Sequence, residues 1–210
     1  MNKKIIYLLI VLFIFEFGLA SCKSEEEPVI EEPKPTYGTD VSMFEYSLYN
    51  QDKTIVIDNM KDKSVTSLEL KSQYMIEDEL YTLVSIGDHA FNDCILLKEI
   101  IIPDSIVSIG AYAFLGCDAL EYTEYENGYY LGNNDNPYLV FATTKSSDVT
   151  NCTIHENCKI ICEYAFSISE GLTNVSIPDG IIFIGSTAFK NCNSLRYNEY
   201  DNSYYLGNDL

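Results

Sequence analysis

The most reactive side chains of this sequence are concentrated between residues 152 and 162. Cys152, His155, Cys158 and Cys162 place three thiols and one imidazole within eleven residues. Thiolates and imidazoles are the ligands of structural zinc sites, which require four of them in a tetrahedral arrangement. Whether this cluster can bind a metal therefore depends on where the surrounding elements direct the four side chains.

The sequence contains few residues and motifs that are suited to catalysis. The sequence has only two His and contains neither a glycine-rich phosphate loop nor a nucleophile elbow. Its 32 acidic residues against 13 basic ones exclude nucleic acid as a partner, because phosphate binding requires a basic face. We therefore expect neither an enzyme nor a cofactor.

The first 21 residues form a predicted signal peptide. Lys3 and Lys4 precede an apolar run over residues 5–15, which is too short to cross a bilayer. Residues 19–22, Leu-Ala-Ser-Cys, resemble the bacterial lipoprotein box, whose cysteine receives the lipid. Cys22 is therefore the predicted lipidation site and membrane anchor. An ordinary signal peptide that happens to precede a Cys is the alternative.

A tether is predicted over residues 22–41, where three of the six Pro and five Glu leave almost nothing to bury. A lipidated Cys followed by acidic residues also resembles the export signal of Bacteroidetes outer-membrane lipoproteins. This resemblance implies a lipid-anchored protein of the bacterial cell envelope, exposed on the outer membrane. A plain acidic spacer is the alternative.

The rest of the chain repeats itself with two periods. The block Ile-Gly-x-x-Ala-Phe occurs at Ile86 and again 23 residues later at Ile109, and related blocks begin at Ile161 and Ile184. A shift of 75 aligns residues 86–133 with residues 161–208, with 23 identities in 48 positions. The larger unit is therefore one 23-residue coil followed by a 52-residue coil that carries an insertion of 29.

Each coil predicts a strand, a second short strand and a closing turn. In the first strand Leu97, Ile100 and Ile102 face the core, the residues between them face solvent, and Pro103 ends the strand. Residues 113–117 fit about one helical turn. One coil cannot bury its own apolar face, so neighbouring coils must stack about 4.8 Å apart. The pattern predicts a parallel solenoid.

The pattern Leu-x-x-Ile-x-Ile-Pro-x-x-Ile-x-x-Ile-Gly-x-x-Ala-Phe-x-x-Cys, from Leu97 to Cys117, resembles the BspA-like leucine-rich repeat family. The resemblance covers residues 65–210. It implies a strand-dominated α/β fold, namely a right-handed parallel leucine-rich repeat solenoid with β-hairpin insertions. The family consists largely of bacterial surface proteins implicated in adhesion. The resemblance therefore implies a binding role.

The repeat register directs the four possible zinc ligands apart. Cys152 and Cys158 fall on core positions that Ile or Val occupies in other coils, and His155 falls on the exposed strand end. Cys162 falls on a Gly position. We therefore expect no metal site.

Disulfide pairing stays open at this point. Six cysteines remain apart from Cys22, so even pairing is arithmetically possible. Three of them occupy the same position of their coils, where free buried thiols are the alternative. The six are Cys94, Cys117, Cys152, Cys158, Cys162 and Cys192.

Residues 42–64 are predicted to form an N-terminal β-hairpin cap, and residues 65–210 the solenoid. The cap hairpin comprises residues 44–49 and 54–57, and a second hairpin over residues 74–84 turns near Glu77 and Asp78. The alignment by 75 ends at Leu210 inside the second copy of a Tyr-rich hairpin. We therefore expect a fragment, a truncated reading frame or a partner that covers this end.

The outward residues of the strand row are expected to form one continuous concave binding surface. Tyr favours interfaces because it combines a large contact area with a polar tip. The alternative for the Tyr residues is that they shield the insertion. The predicted binding face consists of Ile101, Tyr122, Glu124, Asn151, Asn174, Tyr197 and Glu199.

The expected partner is a surface or matrix protein of a host or partner cell. A surface glycan bound by the Tyr-rich inserts is one alternative, although the absence of Trp disfavours it. A structural coat component without a dedicated ligand is the other.

Overall fold

The computed structural model describes residues 40–200 and 203–206. The predicted signal peptide (1–21), the lipidation site Cys22 and residues 22–39 of the predicted tether lie outside them. Regular structure in the described residues consists of sixteen strands and one short 3₁₀ turn, Val41–Met43.

The strands are numbered in chain order. They are β1 (Phe44–Tyr49), β2 (Thr54–Met60), β3 (Ser67–Glu69), β4 (Gln73–Ile76), β5 (Glu79–Ile86), β6 (Glu99–Ile101), β7 (Ser108–Ile109), β8 (Thr123–Tyr125), β9 (Gly128–Leu131), β10 (Val140–Thr144), β11 (Asn151–Thr153), β12 (Ile160–Ile161), β13 (Asn174–Ser176), β14 (Phe183–Ile184), β15 (Asn198–Tyr200) and β16 (Ser203–Tyr205).

Two rows of short parallel strands run through the repeats. The first row contains one ladder of β3 with β6 and another of β11 with β13. The second row contains a ladder of β2, β5 and β7 and another of β10, β12 and β14. The predicted parallel stacking of coils is therefore confirmed within each ladder. We number six coils by their second-row residue: Ile57, Ile86, Ile109, Phe141, Ile161 and Ile184.

The predicted alternation along the strand row is also confirmed. Leu97, Ile100 and Ile102 are buried, whereas Lys98 and Glu99 are exposed. Each fully buried aliphatic side chain of this kind contributes about 1.5–3 kcal/mol by leaving water. The repeated apolar positions thus stabilise the stack coil by coil.

The closing segments are turns, so the α/β class is wrong for the described residues, which contain no α-helix. In the third coil the N–H groups of Leu115 and Cys117 donate to carbonyls three residues earlier, at 3.1 and 3.2 Å. Other amides of these segments bond between coils instead, as when Phe91 N–H donates to the Ala113 carbonyl at 2.8 Å. A helix would use those amides within its own segment.

Both predicted N-terminal hairpins are present. β1 pairs antiparallel with β2, and β4 pairs antiparallel with β5. Glu77 and Asp78 connect β4 to β5 with φ of 49° and 64°, the positive values that a two-residue hairpin turn requires. The Tyr-rich hairpin of β8 and β9 recurs as β15 and β16.

The predicted 52-residue coil is in fact two coils. The first part of the insertion forms the β8–β9 hairpin, but β10 rejoins the second row as the parallel partner of β12. The physical reason is that the N–H and C=O groups of β10 need ladder partners, which β9 and β12 provide on its two sides. The fourth coil thus has its own place in the stack.

Candidate functional site

The fourth coil begins its closing turn with fewer residues than its neighbours. In the second coil, Phe91 lies five residues after Ile86 and bonds through its N–H to the next coil at 2.8 Å. In the fourth coil, Thr144 lies only three residues after Phe141, yet its N–H makes the equivalent bond to Ala165 of the next coil at 3.1 Å. Two residues of the turn are therefore missing at this point.

A third residue is missing on the far side of the same turn. The core residue Val149 follows Thr144 after five positions, where Leu97 follows Phe91 after six. Thr144 also replaces the Phe of the other turns, and its buried hydroxyl lies 2.9 Å from that of Ser169. The fourth coil therefore closes with a shorter and more polar turn.

This short turn leaves a groove of about 400 Å³ between the turns of the third and fifth coils. Ala142 and Thr143 of the fourth coil line it, together with Tyr122. The residues that line it from the two flanking turns include Tyr112, Phe114, Leu115, Glu163 and Tyr164.

Two tyrosines meet where the fourth turn is short. The rings of Tyr112 and Tyr164 stack with centroids 4.8 Å apart, and His89 stacks on the Tyr112 ring at 5.2 Å. A hydrogen bond between the two tyrosines raises the pKa of Tyr112. The ammonium of Lys190 lies 5.4 Å from the Tyr164 centroid. This turn position thus forms an aromatic ladder across the second, third and fifth coils.

All three aromatic residues of this ladder adopt a left-handed backbone. Their φ values are 57° for His89, 55° for Tyr112 and 59° for Tyr164. This region costs about 1–2 kcal/mol for a residue with a Cβ. Ring stacking is one interaction that offsets this cost.

Glu163 is the only charged residue among those that line the groove. Its two carboxylate oxygens accept hydrogen bonds from the hydroxyls of Ser186 at 2.8 Å and Thr187 at 3.1 Å. These bonds hold the carboxylate in place beside Tyr164. The groove therefore combines aromatic walls with one positioned negative charge.

Large apolar side chains stand exposed around the groove. Leu115 is 54% exposed and Tyr112 40%, and Ile168, which follows the groove residue Ser167, is 49% exposed. These exposed apolar side chains therefore form a rim beside the groove.

The first strand row is interrupted at the third coil. Glu121 N–H donates to the Lys98 carbonyl at 2.8 Å, after which the chain leaves the row to form the β8–β9 hairpin. The chain returns to the row at Gly132, which forms an isolated parallel β-bridge with Ile101. The outward residues thus lie on two separate ladders, because the strand of the third coil pairs with its own hairpin.

The predicted face residues of the third coil have different surroundings. Ile101 is half-buried beside Gly132, and Glu124 is exposed and pairs with Lys145 at 2.8 Å. Tyr122 is half-buried and lines the groove, and burial raises its pKa to about 12. Tyr122 therefore belongs to the groove, on the side facing the turns.

The remaining predicted face residues lie farther along the chain. Asn151 and Asn174 are exposed and are register partners on β11 and β13. Tyr197 is 48% exposed. Glu199 lies on β15, and its side chain lies outside the described residues. Of the seven predicted residues, the ladder brings only Asn151 and Asn174 directly together.

In the Cys–His cluster, Cys152 pairs with Val175 in the parallel ladder, as the repeat alignment predicts. Cys152, Cys158 and Cys162 are buried, and burial raises their pKa values to about 12, 11 and 12. His155 is half-buried, not fully exposed as predicted, because its ring stacks on Tyr138 at 3.8 Å. Within residues 40–200, no three His, Cys, Asp or Glu side chains converge on a common metal position.

Comparison with known proteins gives one family match and several similar solved structures. Residues 61–135 and 139–208 match the BspA type leucine rich repeat region in six copies, and the chain belongs to this family. The leucine-rich repeat protein of T. pallidum is 25% identical, with a TM-score of 0.46, covering 76% of this chain and 69% of that one.

Two further solved structures are similar in the same way. A leucine-rich repeat protein from Bacteroides ovatus is 22% identical with a TM-score of 0.42, over 76% of this chain and 46% of that one. A leucine rich cell surface protein from Faecalibacterium prausnitzii is 20% identical with a TM-score of 0.35, over 82% and 59%. The chain matches no curated protein. None of the helical segments described is long and apolar enough to span a membrane.

Sequence reasoning missed the groove, although a signal for it exists. A shift of 75 pairs the third coil with the sixth and leaves the fourth coil without a counterpart. Aligning Phe141 with Ile109 and Val149 with Leu120 shows directly that the intervening turn is three residues short.

Proposed function

We propose that this chain is a lipid-anchored protein of the bacterial cell surface whose repeat scaffold binds a protein partner. The observation that carries the proposal is the groove of the fourth coil. Its aromatic walls and exposed apolar rim provide the contact area on which protein recognition depends.

The chemistry of the groove selects a partner segment that combines apolar and basic side chains. Leu115 and Phe114 offer apolar contacts, and Glu163 supplies a negative charge that a Lys or Arg would neutralise. The whole chain reinforces this preference, with 32 acidic residues against 13 basic ones.

A glycan ligand on the Tyr-rich inserts is the alternative function. Sugars stack on the open faces of aromatic rings, but the insert rings pack against one another. Tyr138 stacks on His155, and Tyr125 packs edge-on against both of them at 5.8 and 4.7 Å. This packing favours the protein-binding proposal over the glycan one.

An array of purified host matrix and cell-surface proteins, printed beside a glycan array, tests the class of ligand. We expect the protein to bind one or more of the printed proteins and none of the glycans. Binding to glycans alone would overturn the proposal, and binding to neither would favour a structural coat component.

The lipid anchor requires its own test, since Cys22 lies outside the described residues. We expect cells fed an alkyne fatty acid to label the full chain, because the cysteine after Leu-Ala-Ser receives acyl chains. Cys22→Ser should abolish the label and release the protein from the membrane fraction. Membrane-bound, unlabelled wild-type protein would contradict the anchor.

Surface exposure is measured on the same cells. Protease added to intact cells should degrade wild-type protein if the anchor lies in the outer leaflet. Full protection in intact cells, with degradation only after lysis, would place the protein on an inner face of the envelope.

A further inference from the structure

We propose that Cys94 and Cys117 form a disulfide between the second and third coils when the chain folds under oxidising conditions. All six described cysteines are free thiols in this structure. The inference concerns a covalent link within the scaffold and does not depend on the proposed binding function.

The two cysteines occupy the same turn position in successive coils. Cys94 follows Phe91 by three residues, and Cys117 follows Phe114 by three. Backbone bonds hold the two turns together just before the cysteines, from Phe91 N–H to the Ala113 carbonyl at 2.8 Å and from Asp93 N–H to the Leu115 carbonyl at 2.7 Å. Parallel neighbours lie about 4.8 Å apart, within the Cα separation that disulfides span.

The two thiols also interact directly. Interaction between the two thiols lowers the pKa of Cys94 and raises that of Cys117. The Cys117 thiol also lies 3.1 Å from the Phe91 carbonyl. The Cys117 thiol is therefore held against the backbone of the turn that carries Cys94.

None of the other described cysteines has a second cysteine at the equivalent position of the next coil. In the fifth coil the position equivalent to Cys192 is Ser169, and the register partner of Cys152 is Val175. Burial raises the pKa values of Cys152, Cys158 and Cys162, which opposes thiolate formation. Only the second and third coils present successive cysteines at the turn position.

Thiol–disulfide exchange supplies the chemistry. The Cys94 thiolate attacks a small-molecule disulfide and releases one thiolate, leaving a mixed disulfide on Cys94. The Cys117 thiolate then attacks the Cys94 sulfur and displaces the second thiolate. The protein loses two electrons and two protons, and one oxidant disulfide becomes two thiols. Both cysteines are buried in the folded chain, so exchange takes place before the turns close.

The test is refolding of the full chain with oxidised glutathione, followed by alkylation of free thiols and trypsin digestion. Cleavage after Lys71, Lys98 and Lys145 places Cys94 alone in peptide 72–98 and Cys117 alone in peptide 99–145. We expect these two peptides to be recovered as one linked species, with the other described cysteines alkylated.

Stability provides a second measurement. The link joins positions 23 residues apart, so the oxidised protein should melt roughly 5 °C or more above the reduced protein. Cys94→Ser should abolish both the linked peptide and the difference in Tm. Recovery of both peptides fully alkylated after refolding with excess oxidant, or their linkage to other cysteines, would overturn the proposal.

Discussion

Cysteine illustrates how a residue's chemistry follows from its place in the repeat. Cys152 and Cys158 fill core positions that Ile or Val occupies elsewhere, so they behave as small apolar side chains. Cys94 and Cys117 lie at the same turn position of two stacked coils, so each faces a second cysteine. The sequence register predicted the first pair correctly and left the second open, because thiol contacts depend on how two turns stack.

The buried thiols predict that stability falls at alkaline pH. Cys152, Cys158 and Cys162 have folded pKa values near 12, 11 and 12 against 9.0 for a free thiol. Above pH 9 the unfolded chain therefore releases protons that the folded chain retains, which favours unfolding. Each thiol should cost about 1 kcal/mol per pH unit in this range.

Urea unfolding under reducing conditions at pH 7.5, 9.0 and 10.0 measures this effect. Cys152→Ala should lose stability overall but show a smaller decrease between pH 9.0 and 10.0 than wild type. A free energy of unfolding that does not change with pH in wild type would contradict the assignment of these thiols as buried and neutral.

Strands and turns differ in how well the sequence predicts them. The apolar spacing from Leu97 to Ile102 gave the buried face correctly, because burial alternates along a strand. The helical turn expected over residues 113–117 was wrong, because the carbonyls of Ala113 and Leu115 accept hydrogen bonds from the second coil. The fourth coil was missed because β10 joins the row through backbone bonds to β12, which side-chain periodicity does not reveal.

Gly110 of the repeat lies where the backbones of neighbouring coils are in close contact. A Cβ at Gly110 would lie 2.5 Å from Asp88 N and 2.6 Å from Gly87 C, so the coils would have to separate. We expect Gly110→Ala to cost about 2 kcal/mol or more of unfolding free energy. Gly171→Ala is the matched control, since a Cβ there meets nothing within 4 Å.

Chemical denaturation of the two glycine variants decides this point. The Gly171 variant should remain within about 0.5 kcal/mol of wild type. Equal stability of the two variants would mean that the coils do not approach as closely as the structure describes.

At the scale of the whole molecule, one altered coil changes the surface of a regular repeat. The family match covers residues 61–135 and 139–208, so most of the chain belongs to one scaffold. Regular coils stack their turns, as the Phe91 and Phe114 rings do at 5.6 Å. The short fourth turn breaks this stack and opens the groove between Tyr112, Leu115 and Glu163. A three-residue difference in one turn thus gives the repeat scaffold a groove that its regular coils do not form.

Binding of two variants to a protein identified on the array tests directly whether the groove is the binding site. Leu115→Asp places a charge on the apolar rim of the groove, whereas Leu80→Asp changes a similarly exposed leucine (54% and 47%) on the β4–β5 hairpin. We predict at least tenfold weaker binding for Leu115→Asp, unchanged binding for Leu80→Asp, and equal Tm values for both. Wild-type affinity in the Leu115 variant would contradict the groove as the binding site.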